Sequence, residues 1–150
     1  MNNQIKIFVI GILALSYFSF QSNTNKKAAS ITVKVTDLKN SNGIVQFSLY
    51  NKDGSIPDEH FEKYLKQKTA KVVNKTATIT FTDLPQGTYA INILHDENEN
   101  KIVDKGMILP IEGLGFSNFE SLNLFNRPSY KRAKFKLKSD TIITIPTIYM

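Results

Sequence analysis

From residue 30 onward, apolar and polar side chains alternate with a period of two. Ile31, Val33 and Val35 alternate with Thr32, Lys34 and Thr36; Val45, Phe47 and Leu49 with Gln46 and Ser48; Ala77, Ile79 and Phe81 with Thr76, Thr78 and Thr80. Tyr89, Ile91 and Ile93 mark one face of 88–94, and Ala133, Phe135 and Leu137 oppose Arg132, Lys134, Lys136 and Lys138. Neighbouring side chains of a strand point to opposite faces, so each run has one face to bury and one to wet, which the longer repeat of a helix does not match. The pattern predicts strands over 31–35, 44–50, 71–75, 76–81, 88–94, 130–137 and 141–149. Asn42-Gly43 predicts a hairpin between the first two, and Asp83-Leu84-Pro85-Gln86-Gly87 a second one, with Gly87 taking the positive φ of the turn. Pro146 puts the last strand at an edge or a bulge. Seven short strands with turn signals between them predict an all-β fold, a seven-stranded antiparallel β-sandwich, with a small closed barrel as the alternative topology.

Two segments depart from the alternation. Residues 58–66 carry Phe61, Tyr64 and Leu65 on one side and predict a short surface helix, capped by Asp58 or by Ser55 before Pro57. The 95–128 stretch shows neither strand nor helix, and a loop of that length in a compact domain is functional or firmly packed. The lysines of 71–75 guard an edge strand against pairing with other chains.

The chain has 150 residues, room for one domain with one modest core. It divides into a leader and linker, 1–29, and a folded domain, 30–150. Lys6 precedes the apolar run 7–20, which is short for a bilayer span of roughly 20 residues. This predicts a secretory signal and an exported, periplasmic or extracellular protein, with an uncleaved membrane anchor as the competing reading. The formal charge of +6 falls to +3 if processing after Ala29 removes Lys6, Lys26 and Lys27. That value and export argue against nucleic acid as a partner, and the Lys131 to Lys138 cluster reads as a solvated strand face. The absence of Cys excludes disulfides, a thiolate-zinc site and a lipidated N-terminal cysteine.

The residues with chemistry to offer follow the fifth predicted strand. In His95-Asp96-Glu97-Asn98-Glu99-Asn100-Lys101-Ile102-Val103-Asp104, side-chain oxygens recur at Asp96, Asn98, Asn100 and Asp104, with the Ile102 carbonyl between them. Those are the spacings of an acidic loop around calcium, and an all-oxygen set favours Ca2+ over zinc. Lys101 stands where an EF-hand needs Gly and Met107 where it needs Glu, so an EF-hand is excluded. Glu97, Glu99 or Glu112 could add an oxygen, and the ion-free alternative has Asp and Asn capping their own turns. His95 reads as a strand-end anchor of the long loop; a catalytic base beside Asp96, Glu97 or Glu112 is the sharper alternative, unsupported by a nucleophile elbow or a metalloprotease helix. Glu112, Gly113, Gly115, Phe116 and Asn118 read as further anchors, the glycines bending the chain while Leu114 and Phe116 plug one end of the sandwich. Phe119, Phe125 and Tyr130 could line a groove.

The series Phe81-x-Asp83-Leu84-Pro85-x-Gly87-Thr88-Tyr89-Ala90, then His95-Asp96-Glu97-Asn98-x-Asn100-x-x-x-Asp104, then Glu112-Gly113-x-Gly115-Phe116-Ser117-Asn118 resembles the DUF2141 family of uncharacterised bacterial exported proteins, from about Ile31 to Tyr149. The resemblance implies a prealbumin-like sandwich in or outside the cell envelope. The family pattern has Gly where this chain has Glu99 and Lys101, which removes a permissive φ and brings an ammonium toward the proposed ion.

Three functions fit. A non-enzymatic structural or adhesive envelope domain, monomeric and stabilised by calcium in the 96–104 loop, comes first. A module binding a cell-envelope protein, peptide or glycan in a groove near 119–130 is the alternative, and a hydrolase using His95 the third.

Overall fold

The computed structural model describes residues 28–107, 109–123 and 125–150, so the predicted leader and nearly all of the linker lie outside the described residues. The elements are β1 (Ala29–Thr36), β2 (Ile44–Tyr50), β3 (Lys66–Lys71), β4 (Ala77–Leu84), β5 (Gly87–Asp96), β6 (Gly113–Phe116), α1 (Tyr130–Ala133), β7 (Phe135–Leu137) and β8 (Thr141–Pro146). Among the described residues the protein is all-β, with one short helix. Its strands form two sheets, ordered β4-β1-β8 and β3-β2-β5-β6, with β7 paired to the start of β5.

The alternation of β1 sets the inner face: Ile31, Val33 and Val35 are fully buried while Thr32, Lys34 and Thr36 look outward. They join Phe81 of β4, Ile145 of β8, and Val45, Phe47, Leu49, Tyr89, Ile91 and Ile93 of the larger sheet in a single cluster. Burial of each such side chain stabilises by about 1.5–3 kcal/mol before the entropy of ordering is subtracted.

The larger sheet buries both faces. Tyr50, Ala90 and Leu94 point away from the first cluster and pack with Ile56, Phe61, Leu114, Phe116, Phe119, Tyr130 and Ala133 in a second one. The long loop is therefore a cover, with Leu114, Phe116 and Phe119 packed on the outer face of β2 and β5. Gln46, Ser48 and Asn92 occupy the same face, buried.

Several expectations need correction. There are eight strands among the described residues, not seven, because the long loop contributes β6. The arrangement is not purely antiparallel: β8 runs parallel to β1, with Ile31 opposite Thr141 and Val35 opposite Ile145. Neither expected hairpin forms. β1 and β2 belong to different sheets, as do β4 and β5, so each turn carries the chain across the core instead of folding it back on its neighbour. In the second turn the positive φ falls on Asp83 (57°), and Gly87 starts β5.

Residues 58–65 form no helix. The carboxylate of Asp58 accepts the N–H groups of Glu62 (3.1 Å) and Lys63 (2.8 Å) and the hydroxyl of Tyr50 (3.1 Å), closing a compact turn. Phe61 adopts a φ of 51° to reach the second cluster, and Leu65 then donates to the Leu49 carbonyl, so the chain enters β3 at Lys66. The lysine-rich edge strand thus lies at 66–71, and Val73 to Thr76 is a tight turn with Asn74 and Lys75 both left-handed. The helix sits at the start of the predicted 130–137 strand, where Tyr130 and Ala133, one turn apart, bury together against the outer face of β5.

Candidate functional site

β5 ends at His95 and Asp96, both fully buried. Gly43 allows this: a Cβ there would lie 2.1 Å from the Asp96 carbonyl, and its φ of 63° is one that glycine adopts without strain. The His95 ring is bonded on both nitrogens. Nε2 lies 3.0 Å from the Asn42 carbonyl, which can only accept, so Nε2 carries the proton and Nδ1 accepts from the Tyr149 hydroxyl at 2.6 Å. Tyr149 oxygen in turn accepts the Lys39 N–H at 3.1 Å. His95 therefore joins the end of β5, the 39–42 connection and the C-terminal segment.

The 96–104 turn folds around its own oxygens. Asp96 accepts the N–H groups of Asn100 (3.1 Å) and Lys101 (2.8 Å). The Asn98 side-chain oxygen accepts the Asn100 N–H at 3.0 Å, and that of Asn100 accepts the Ile102 N–H at 2.9 Å. Both amide nitrogens point at Asp104, at 2.6 and 2.9 Å. Ile102 is exposed, and Glu99 and Lys101 take φ of 63° and 66°. Glu112, buried beneath, accepts Glu97 N–H (3.2 Å) through one oxygen and Asp104 N–H (3.0 Å) through the other. The structure brings Asp96, Asn98, Asn100, Asp104 and Glu112 into one turn, with each of these oxygens already receiving a donor. A cation there would have to displace the two amide nitrogens from Asp104. Among the described residues, no three His, Asp or Glu side chains group closely enough to hold a metal by themselves.

The electrostatics follow from this packing. Burial pushes the Glu112 carboxyl above the usual range, opposed by its two N–H donors and assisted by Asp104 and Asp96. Burial acts on Glu97 in the same direction, but the Lys39 ion pair at 2.6 Å and the Asn40 amide outweigh it and hold that carboxyl low. Tyr149 is raised, chiefly by burial.

Gly113 and Gly115 lie within β6, with neither in the left-handed region, so they do not bend the chain. Their role is proximity. A Cβ on Gly115 would lie 2.7 Å from both Ile145 Cγ2 and the Pro146 carbonyl, and one on Gly113 would lie 2.4 Å from Thr147 Cγ2. The C-terminal segment crosses there from one sheet to the other: Leu114 and Ile148 exchange backbone bonds of 2.9 and 2.7 Å. Phe116 is buried 5.8 Å from Phe119, and Asn118, at φ 64°, donates to the Ala133 and Lys134 carbonyls.

Of the aromatics expected to line a groove, Tyr130 is buried with its hydroxyl on the Thr88 carbonyl, and Phe125 is 97% exposed. Phe119 alone borders an open depression. Asn118, Glu120, Ser121, Asn126 and Arg132 line one side of it, and Ile143, Thr144 and Pro146 of β8 the other. The Arg132 guanidinium stacks 5.1 Å from the Phe119 ring and donates to the Asn126 side chain. Sequence reasoning missed the β8 wall and the Tyr149 partner of His95, because nothing local links positions 54 residues apart.

The model of a family of bacterial proteins described as uncharacterized, DUF2141, matches residues 33–144. No curated protein and no solved structure matches the chain.

Proposed function

This chain belongs to the DUF2141 family, and we propose that it is an exported, non-catalytic structural or adhesive domain of the cell envelope whose 96–104 turn takes up calcium. Export rests on the apolar run after Lys6. The observation that carries the non-catalytic reading is the burial of His95: its ring is closed off from solvent, with Nε2 on the Asn42 carbonyl and Nδ1 on the Tyr149 hydroxyl, so no substrate atom comes within proton-transfer reach of it. The turn supports the calcium reading by its donor set, with the side-chain oxygens of Asp96, Asn98, Asn100 and Asp104 in one hydrogen-bonded turn and Glu112 beneath them. Binding would turn the two amide oxygens inward in place of their nitrogens.

Calorimetric titration of the calcium-free protein tests this. Uptake of calcium at millimolar concentration is expected, weakened in Asp104→Asn. At a hundredfold excess over Kd the ion should add about 2.7 kcal/mol of stability. Absence of uptake removes the ion, and hydrolysis lost specifically in His95→Ala removes the non-catalytic reading.

The depression beside β8 favours a second reading, a peptide- or glycan-binding module, since it offers amide, hydroxyl, guanidinium and carboxylate groups along an open strand edge.

A further inference from the structure

Resting on that second reading, we propose that β8 is an acceptor edge: an extended peptide segment of another protein adds to it as a further strand, lying in the depression between β8 and the 118–132 wall.

The sheet edges are treated differently. Along β4, the outer strand on the far side of the small sheet, Lys68 Nζ donates to the Thr80 carbonyl at 2.6 Å and Lys66 Nζ to the Thr82 carbonyl at 3.1 Å. Backbone acceptors that would otherwise recruit a foreign strand are occupied by ammonium groups of β3. The end of the larger sheet at β6 is closed by the Leu114–Ile148 bridge. On β8, no strand pairs with the edge away from β1 among the described residues. Residues 141–146, Thr-Ile-Ile-Thr-Ile-Pro, contain no charged side chain to guard it.

The backbone shows which groups are free. Thr147 N–H donates to the Thr36 carbonyl at 3.0 Å, so Thr147 faces β1. Peptide groups alternate sides along a strand, which turns those of Ile145, Ile143 and Thr141 toward β1 and those of Ile142 and Thr144 away from it. The next outward position is Pro146, which has no N–H to leave unpaired. The open edge therefore presents the N–H and C=O groups of Ile142 and Thr144, and another extended backbone matches that repeat directly. A glycan has no such regular series of amide donors and acceptors. The opposite wall, Asn118, Ser121, Asn126, Glu120 and Arg132, faces the side chains of the incoming segment and carries one cation and one anion. Recognition then comes from backbone pairing and alternate side chains, and it is insensitive to salt.

The test selects a displayed random heptapeptide library on the full chain and measures selected synthetic peptides by fluorescence anisotropy and amide exchange. Expected are sequences of alternating apolar and polar residues, slowed exchange at Ile142 and Thr144, and less than a twofold change in affinity when salt is raised. N-methylation of alternate peptide residues should weaken binding by about tenfold or more, the size of one lost backbone bond. Thr144→Pro, which removes an outward N–H and leaves the β1 ladder intact, should do the same without lowering the melting temperature. The methylated peptide gives the answer even if that variant fails to fold. Failure to enrich any peptide overturns both this proposal and the peptide part of the binding-module reading. Binding unaffected by N-methylation or by Thr144→Pro leaves the module and overturns strand addition. A concentration-dependent dimer that Thr144→Pro dissociates overturns it by assigning the edge to a second copy of the chain.

Discussion

Lys101 shows how a single position can be settled by its neighbours. Its N–H is held by Asp96 at 2.8 Å, so its backbone takes a φ of 66° although it has a Cβ. A left-handed residue with a Cβ costs about 1–2 kcal/mol, and glycine there gives back roughly 0.5–1 kcal/mol through its larger unfolded-state freedom. Lys101→Gly should therefore raise stability by up to about 1 kcal/mol in urea unfolding. A loss instead would mean that the Lys101 side chain packs favourably. Gly115 is the opposite case: the added methyl of Gly115→Ala meets the Pro146 carbonyl, a backbone atom that cannot rotate aside. The expected loss is about 1–3 kcal/mol, again read from urea midpoints.

At the scale of elements, the strands differ in how they end a sheet. β3 contributes little to the core, since Lys66, Lys68, Thr69 and Lys71 are exposed, yet it places ammonium groups on the carbonyls of β4. The double variant Lys66→Ala with Lys68→Ala should lose only about 1 kcal/mol, because both bonds are exposed to water. It should nevertheless self-associate in sedimentation velocity at concentrations where the parent does not. A variant that stays monomeric would show that β4 needs no guard. β6 acts through absence, its two glycines letting the C-terminal segment pass between the sheets.

For the whole molecule, one end is bound together by charges with opposite pH responses. Glu97 has a lowered pKa in the folded state, so its contribution is complete above the ordinary glutamate range and is lost as pH falls through the folded value. Glu112 has a raised one, so its contribution is complete below the ordinary range and is lost as pH rises through the folded value. Stability at this end should thus peak near the ordinary glutamate pKa. Urea unfolding from pH 3 to 7 should show Lys39→Met flattening the acid side, by less than about 1 kcal/mol for so exposed a pair, and Glu112→Gln flattening the other. Unchanged slopes in both variants would contradict the assignment.

The alternation by itself determined β1, β2, β4, β5 and β8, the side chains they turn into the first core cluster and the all-β class, because a period of two is a local property of an extended backbone; β6 and the place of β3 at 66–71 carry no such signal. The motif series carried the family in the same local way. Only the tertiary structure decided that β1 and β2 lie in different sheets, that β8 runs parallel to β1, and that 58–65 turns without a helix. Strand pairing joins positions far apart in the chain, and Asn42-Gly43 turns a chain equally well within one sheet or across two. The oxygen-rich turn was legible as a run of Asp and Asn. Its bonding to itself, the lock of Tyr149 on His95 and the open edge of β8 depend on which distant atoms come within hydrogen-bond reach, and residue order does not specify those distances.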